Sequence, residues 1–326
     1  MESYKIKNKE DLLSLLSINN NELLNALNNK SYAYIKYKKC SARGTRIIHS
    51  INNEHTIYYL QKKLNNNLFN KFLYPDCVFG FRKNKSYFDF LTHHILTTQK
   101  RYYLRLDISN FFDSINILDI NEALSYYLDD SISYDESEEI LQTIIDIITL
   151  DDKVVQGAIT SPSVSNLVFR SLDIRIEKYC KKLGIKYTRY ADDMLFSASM
   201  SYVHNYKFTN AIKSIIADKN FELNFKKTLK YKNEISLNGY IVGTDIRLSR
   251  KKYKTINKII YNMSLNSFTG FSNRRTMYII KNKLAGYRSY LIQTFRYIDD
   301  KNQVMKIEKK IQIIENLICK YCVEQP

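Results

Sequence analysis

The segment KYTRYADDMLFSAS (186–199) constrains the fold more than any other stretch of the sequence. Apolar and polar residues alternate on both sides of Asp192 and Asp193, which predicts two buried strands joined by a turn that carries both carboxylates. Two carboxylates held together in a rigid turn repel each other unless cations lie nearby. The segment therefore predicts a β-hairpin that holds divalent metal ions.

Two further copies of the Tyr-x-Asp-Asp pattern have simpler explanations. YLDD at 127–130 is predicted to end a helix and to open an acidic stretch, 129–139, that forms an exposed loop and the start of the next helix, so its carboxylates are expected to face solvent. YIDD at 297–300 precedes KNQVMKIEKK, where the aspartates would begin a helix and complement the positive end of its dipole. Only the copy at 190–193 is predicted to carry chemistry.

A second strand and a glycine turn complete the candidate site. RYYLRLDIS (101–109) alternates like a strand and ends near Asp107. If this strand lies beside the hairpin, Asp107 joins Asp192 in a set of hard oxygen ligands suited to two Mg²⁺ ions. Between them lies QGAITSPSVSN (156–166), where Gly157 would permit close approach of a nucleotide before a helix begins. This order of elements predicts phosphoryl-transfer chemistry.

The charge of the chain indicates a polyanionic partner. Lys plus Arg minus Asp plus Glu is 50 − 33 = +17. Residues 246–326 carry 17 basic and 5 acidic residues, or +12, whereas residues 1–245 carry 33 basic and 28 acidic residues, or +5. Apolar residues recur at helical spacing through the C-terminal segment, which predicts a small basic helical domain over 246–326.

Cysteine usage and hydropathy suggest the cellular setting. The five cysteines are odd in number and scattered, which favours a reducing, cytoplasmic environment. CKYC (319–322) has no second Cys or His pair, so packing within a terminal helix is favoured over zinc binding. No apolar run reaches the length of a secretory signal or a membrane span, so no membrane partner is expected.

Several motifs, in this order, resemble the palm motifs of bacterial reverse transcriptases: RLDISNFF, QGAITSPSVSN, YTRYADD, LNFKKT and LNG. Upstream, GTRIIHS and GFRKNKS resemble the fingers motifs of the same enzymes. The resemblance covers about residues 30–300 and implies an α+β, right-hand polymerase with an antiparallel palm sheet. Fingers and palm would occupy 1–245, and a helical thumb would occupy 246–326. The implied activity is RNA-directed DNA synthesis from dNTPs.

The resemblance also implies the residues of a metal site. Asp107 and Asp192 would bridge two Mg²⁺ ions, with Ile108 beside them and Asp193 as an accessory ligand or supporting partner. Lys227 falls where this family carries a lysine near the leaving group, which makes it a candidate general acid.

The substrate contacts that the resemblance implies come from both the fingers and the palm. Arg46 and Arg82 are candidates to clamp the triphosphate, with surface solvation as the alternative for each. Phe112 matches the aromatic position that excludes a ribose 2′-hydroxyl, with core packing as its alternative, whereas neighbouring Phe111 is expected in the core. The remaining implied substrate-binding residues are Gln156, Gly157 and Tyr190.

Within this family the compact length favours the retron type. GYRSYL (286–291) resembles the retron thumb, and Gln61 and His94 fall where retron enzymes have similar residues. Two motifs depart from the retron pattern, since Phe90-Leu91-Thr92-His93-His94 replaces Asn-Ala-x-x-His and Leu237-Asn238-Gly239 replaces Val-Thr-Gly.

A retron-type enzyme would bind its own structured noncoding RNA, prime DNA synthesis from a 2′-hydroxyl within it, and act beside an effector protein against phage. Two alternatives remain open at this stage. One is another bacterial defence reverse transcriptase with different priming. The other is an inactive, polymerase-like RNA-binding scaffold.

Overall fold

The computed structural model describes residues 5–41, 44–264, 274–295 and 301–323. In chain order its helices and strands are α1 (Lys9–Leu16), α2 (Asn20–Asn28), β1 (Tyr34–Ser41), β2 (Gly44–Ile51), α3 (Thr56–Asn67), α4 (Tyr87–Thr92), β3 (Tyr102–Asp107), α5 (Ile117–Ser125), α6 (Tyr134–Ile148), α7 (Ser161–Lys182), β4 (Lys186–Tyr190), β5 (Asp193–Ala198), α8 (Tyr206–Ala217), β6 (Leu229–Lys232), β7 (Ile235–Leu237), β8 (Tyr240–Val242), β9 (Ile246–Leu248), α9 (Arg250–Ser264), α10 (Arg274–Phe295) and α11 (Lys301–Val323). Helices and antiparallel strand pairs confirm the expected α+β class.

The chain divides into two compact units. The first comprises Met1–Phe90, Leu104–Ser197 and Tyr202–Lys230, and the second comprises Leu91–Tyr103, Ala198–Ser201 and Tyr231–Pro326. The basic segment expected to form the thumb falls within the second unit. The assignment of fingers and palm to 1–245 and of a thumb to 246–326 stays a prediction.

The predicted β-hairpin is confirmed. β4 pairs antiparallel with β5, and Tyr190 opposite Asp193 is the last pair before the turn. The hairpin turn therefore consists of Ala191 and Asp192, and Ala191 has the left-handed φ of 57°. In the four-stranded sheet β3 lies between β5 and β6, so the strand ending in Asp107 is the neighbour of the strand that begins at Asp193.

The helix predicted after the glycine turn is α7. A proline in its first turn presets the helical backbone, because its missing N–H would have no partner there. Its apolar residues, among them Val164, Val168 and Leu172, are buried. α7 packs against β4, so the helix forms one wall of the core behind the hairpin.

The residue patterns of 10–28 and 86–99 each predict one helix, but polar groups interrupt both segments. Residues 10–28 form α1 and α2 rather than one helix, since Ser17 is left-handed and Asn19 forms a capping box with Glu22. Residues 86–99 are helical only over α4. Beyond it the N–H of Leu96 donates to the carbonyl of Gly243 at 3.0 Å, a bond that takes this residue out of a helical pattern.

The second unit has its own apolar core. Its buried residues lie on α9, α10 and α11 at the predicted helical spacing: Ile256, Leu284, Leu291, Ile307, Ile314 and Leu317. Cys319 is exposed on α11, so the expectation that it packs was wrong, and the side chain of Cys322 lies outside the described part. Across the described ranges, every helix is too short or too polar to span a bilayer.

The two alternative acidic pairs have different outcomes. In the YLDD copy, Asp130 is exposed as predicted and accepts a hydrogen bond from Lys5 at 3.0 Å, while Asp129 accepts from Ser131 at 2.7 Å. α5 ends at Ser125, two residues before that copy begins. The YIDD copy at 297–300 lies outside the described residues.

Candidate active site

The backbone brings the hairpin turn against the end of β3. The N–H of Ile108 donates to the carbonyl of Asp192 at 3.0 Å, and the N–H of Asn224 donates to the carbonyl of Asp107 at 2.7 Å. Asp107 is therefore held between the hairpin turn and the loop before β6. These bonds bring together two of the residues predicted from distant parts of the sequence.

Asp107 is almost fully buried and has a cationic partner. Its side chain is 2% exposed, and the Lys227 ammonium donates to Oδ1 at 3.0 Å and to Oδ2 at 2.8 Å. Lys227 remains about half exposed. The predicted catalytic lysine and the predicted metal ligand therefore meet in an ion pair.

Asp193 has a partner that the sequence did not single out. Arg105 donates from Nε to Asp193 Oδ1 at 2.9 Å, and its Nη2 contacts the same oxygen. Arg105 Nη2 also lies 3.9 Å from Asp107 Oδ1. Arg105 and Asp107 share a face of β3 because alternate residues of a strand point the same way. The Arg-x-Asp spacing was the available signal, but the partner lies 88 residues away.

Burial perturbs the acidic groups at the hairpin turn. It raises the pKa of the Asp192 carboxyl above its ordinary value, and the charge of Asp107 acts in the same direction, while Lys227 and Arg46 oppose it. Burial likewise raises the pKa of Asp193 against the opposing effect of Arg105. The carboxylate cluster, defined as Asp107, Asp192 and Asp193, would be stabilised in its charged form by additional positive charge.

A cavity of about 1100 Å³ opens beside this cluster. Its charged lining residues are Lys36, Arg46, Asp113, Lys153, Asp192, Lys226 and Lys227. Five of these seven are basic, so the cavity suits an anionic ligand. Its lining also brings together the predicted residues Ile108, Phe112 and Gln156.

Phe112 and Phe111 have the different environments that the sequence suggested. Phe111 is buried, and its ring lies 5.8 Å from that of Phe169 and 5.6 Å from that of Phe221. Phe112 is half-buried and lines the cavity, with its ring 6.2 Å from that of Phe81. Both residues contribute to the cavity lining, but Phe111 is only 5% exposed, so Phe112 offers more of its surface to a ligand.

Arg82 and Tyr190 do not belong to the cavity lining in the described chain. Arg82 donates from Nη1 to the carbonyls of Pro75 and Val78, both at 3.1 Å. The Tyr190 ring lies 5.0 Å from the Tyr87 ring in an edge-on contact. Substrate-binding roles for Arg82 and Tyr190 stay predictions.

Gly157 permits a close approach that the sequence did not identify. It has φ of +113°, and a Cβ placed there would lie 2.7 Å from both the His49 carbonyl oxygen and Ile48 Cγ2. The N–H of His49 also donates to the carbonyl of Gln156 at 2.8 Å. Gly157 therefore lets its loop lie against β2, and its contact with a nucleotide stays a prediction.

Gln61 fixes the surroundings of this loop. Its buried side chain donates to the Ile147 carbonyl at 2.8 Å and to the Tyr34 hydroxyl at 2.9 Å, and it accepts from the Ile159 N–H at 3.0 Å. His94, the other residue noted from the sequence, is fully buried. Gln61 thus supports the loop after Gly157 from outside the cavity.

The carboxylate cluster fits a divalent metal by its chemistry. In the part of the chain that the structure describes, no three His, Cys, Asp or Glu side chains are arranged so that they could hold a metal ion as they stand. The cluster nevertheless offers the oxygen donors that Mg²⁺ prefers. A cationic group, the Lys227 ammonium, already lies against Asp107 in the place where positive charge is favoured.

Sequence comparisons agree with the motifs. Residues 37–242 match the family described as "Reverse transcriptase (RNA-dependent DNA polymerase)". The chain is 30% identical over 255 residues to the Retron Ec73 reverse transcriptase of Escherichia coli. This match covers 72% of this chain and 77% of that protein. It is 29% identical over 234 residues to the Retron Ec86 reverse transcriptase of Escherichia coli, covering 71% of this chain and 69% of that one.

Similar solved structures include a telomerase from Candida albicans in complex with a fragment of telomeric RNA. The identity is 13% and the TM-score is 0.48, with 89% of this chain and 60% of the telomerase chain covered. The chain also spans only 55% of the Retron Ec48 reverse transcriptase of Escherichia coli, to which it is 28% identical.

Proposed function

Because the chain belongs to the reverse transcriptase family, and within it to the retron type, we propose that it copies RNA into DNA at the carboxylate cluster. The observation that carries this proposal is the backbone hydrogen bond of 3.0 Å from Ile108 to Asp192, which joins the end of β3 to the hairpin turn beside a basic cavity. A protein that only binds nucleic acid gains nothing from clustered carboxylates near a polyanion.

Asp107 and Asp192, with Ile108 beside them, would hold two Mg²⁺ ions. When bound, these ions lower the pKa of the attacking primer hydroxyl and neutralise charge on the triphosphate and the leaving pyrophosphate. Asp193, oriented by Arg105, acts as the accessory carboxylate. The fold supplies the rigid placement on which phosphoryl transfer chiefly depends.

Lys227 is the proposed proton donor. Its ammonium pairs with Asp107 and faces the cavity, so the incoming triphosphate competes with Asp107 for the same charge. Once it contacts the phosphate, the ammonium donates its proton to the leaving pyrophosphate oxygen.

Residues in and around the cavity are proposed to select and orient the nucleotide. Arg46 neutralises the triphosphate from β2, with Arg82 as a second candidate for this contact. The Phe112 ring excludes a ribose 2′-hydroxyl and so favours dNTPs. Gln156 lines the cavity, and Gly157 and Tyr190 complete the proposed nucleotide contacts.

The proposed product is DNA joined to a structured noncoding RNA. The enzyme would act in the cytoplasm, start synthesis from a 2′-hydroxyl of that RNA, and work beside an effector protein in defence against phage. The helices of residues 246–326 would hold the duplex by contacts to its phosphates. A branched RNA–DNA product from the purified complex supports this priming, and a linear product made from a separate primer contradicts it.

The change Asp192→Asn tests the chemistry. It keeps the shape of the hairpin turn and removes one charge, so we expect Mg²⁺-dependent dNTP incorporation to fall to background while RNA binding persists. Asp130→Asn makes the same change in the exposed YLDD copy and should retain wild-type incorporation. Equal activity of the Asp192 variant and the wild type would refute the assignment.

A further inference from the structure

A fully buried ion pair lies directly behind the hairpin turn. Arg189 on β4 and Asp173 on α7 have side chains that are 0% exposed. Arg189 donates from Nε to Asp173 Oδ1 at 2.9 Å and from Nη2 to Oδ2 at 2.7 Å. The hydroxyl of Tyr187 donates to the same carboxylate at 2.8 Å. The guanidinium is thus fixed by two parallel hydrogen bonds, the most directional arrangement open to arginine.

The remaining arm of the guanidinium reaches the hairpin turn. Arg189 Nη1 donates to the carbonyl of Ala191 at 3.0 Å. That carbonyl belongs to the peptide group that links Ala191 to Asp192. Ala191 has φ of 57°, a conformation that costs free energy for a residue with a Cβ and persists only when its surroundings hold it. The bond from Arg189 is one such restraint.

The main chain and a ring hold Arg189 in place as well. Its N–H donates to the Cys77 carbonyl and its carbonyl accepts from the Phe79 N–H, both at 2.8 Å. Its guanidinium carbon lies 4.6 Å from the centroid of the Phe169 ring. Arg189 is therefore held by its backbone, by Asp173 on α7 and by a neighbouring ring, and it contacts the hairpin turn from this position.

We propose that Arg189 is a positioning residue that fixes the Ala191 carbonyl, and through it Asp192, with Asp173 as its anchor. A buried ion pair is weak evidence for stability, because desolvation of its charges offsets their attraction and apolar replacements are often tolerated. The hydrogen bond to the hairpin turn gives this pair a role that an apolar pair could not fill. The inference rests on the proposed function of the carboxylate cluster.

Two variants remove the donor to Ala191 in different ways. Arg189→Lys keeps the charge but has a single ammonium, which cannot bind both Asp173 oxygens and the Ala191 carbonyl. The double variant Arg189→Gln with Asp173→Asn removes both charges together, so no unpaired buried charge is left. Tyr187→Phe is the matched control, because it removes a hydrogen bond to Asp173 and leaves the bond to Ala191 intact.

The measurements are the melting temperature, kcat and KM for dNTP on an RNA template. For both Arg189 variants we expect kcat to fall roughly 10- to 100-fold with KM little changed, because a small misplacement of a reacting group has that effect. Tyr187→Phe should keep the wild-type kcat even if its melting temperature falls as far as those of the Arg189 variants. A merely structural role would lower activity in proportion to the melting temperature in all three variants.

Two results would contradict the proposed role of Arg189. A folded double variant with wild-type kcat would overturn the inference. So would failure of the double variant to fold at a temperature at which Tyr187→Phe is folded, because the pair would then hold the fold rather than the hairpin turn. An inactive wild type would refute the proposed function itself, whereas an active wild type with an inactive Asp192→Asn variant leaves only this inference at stake.

Discussion

Replacing Gly80 by alanine should displace the hairpin turn without touching any charged group. Gly80 lies against the turn, and a Cβ added there would be 2.4 Å from the backbone nitrogen of Ala191 and 3.1 Å from the carbonyl carbon of Tyr190. Asn166 holds the Gly80 carbonyl from the other side at 2.8 Å. Ordinary contact begins at 3.4 Å, so the atoms must separate by 3.4 − 2.4 = 1.0 Å. Because the neighbour is backbone, no side-chain rotation can provide this space.

A displacement of about 1 Å at a reacting group costs roughly 100-fold in rate. We therefore expect Gly80→Ala to lower kcat for dNTP incorporation by about that factor, while binding of RNA changes little because the basic surfaces are intact. Steady-state incorporation on an RNA template measures the first quantity, and a filter-binding titration measures the second.

Gly184→Ala is the matched control. Gly184 has φ of +64°, and a Cβ there meets nothing within 4 Å. Alanine at this position strains the backbone and costs about 1 kcal/mol of stability, but it moves no atom of the hairpin turn. Wild-type kcat in Gly80→Ala, or equal losses of kcat in both variants, would show that contact behind the turn does not set the rate.

Three further predictions concern the nucleotide, the acidic copies and the duplex. Phe112→Ala should raise ribonucleotide incorporation relative to dNTP incorporation by about tenfold, measured as the ratio of the two kcat/KM values. An unchanged ratio would mean that the Phe112 ring only packs against its neighbours. Asn at both Asp129 and Asp130 should leave incorporation at the wild-type rate; a loss like that of Asp192→Asn would mean that the wrong copy was chosen. Gln at Lys254 or Lys258, two basic residues of α9, should reduce the slope of log affinity for an RNA–DNA duplex against log salt by roughly 0.9, and an unchanged slope would place the phosphate contacts elsewhere.

The sequence predicted those elements of the candidate site that depend on local residue patterns. Alternation around Asp192 defines a hairpin wherever that segment folds, and Asp107 ends a strand for the same reason. The apolar spacing of the three C-terminal helices is equally local, and their buried residues match it.

The partners of the charged residues were not predictable in this way. Arg105 and Asp193 are 88 residues apart, and Arg189 on β4 pairs with Asp173 on α7, so neither pairing follows from spacing. Gly157 illustrates the same limit, since its conformation could be expected but its neighbour, β2, depends on the tertiary fold. Residues that hold the proposed catalytic groups in place are therefore harder to recognise than those groups themselves.

The two internal ion pairs of the carboxylate cluster have a practical consequence. Lys227 and Arg105 offset part of the negative charge of Asp107 and Asp193, so we expect the hairpin and its neighbouring strand to stay folded without added metal. We accordingly expect that the protein can be prepared and loaded with RNA in the presence of a chelator. Rapid mixing with excess magnesium and nucleotide would then start every molecule at the same moment, which would make the first nucleotide addition observable as a single event.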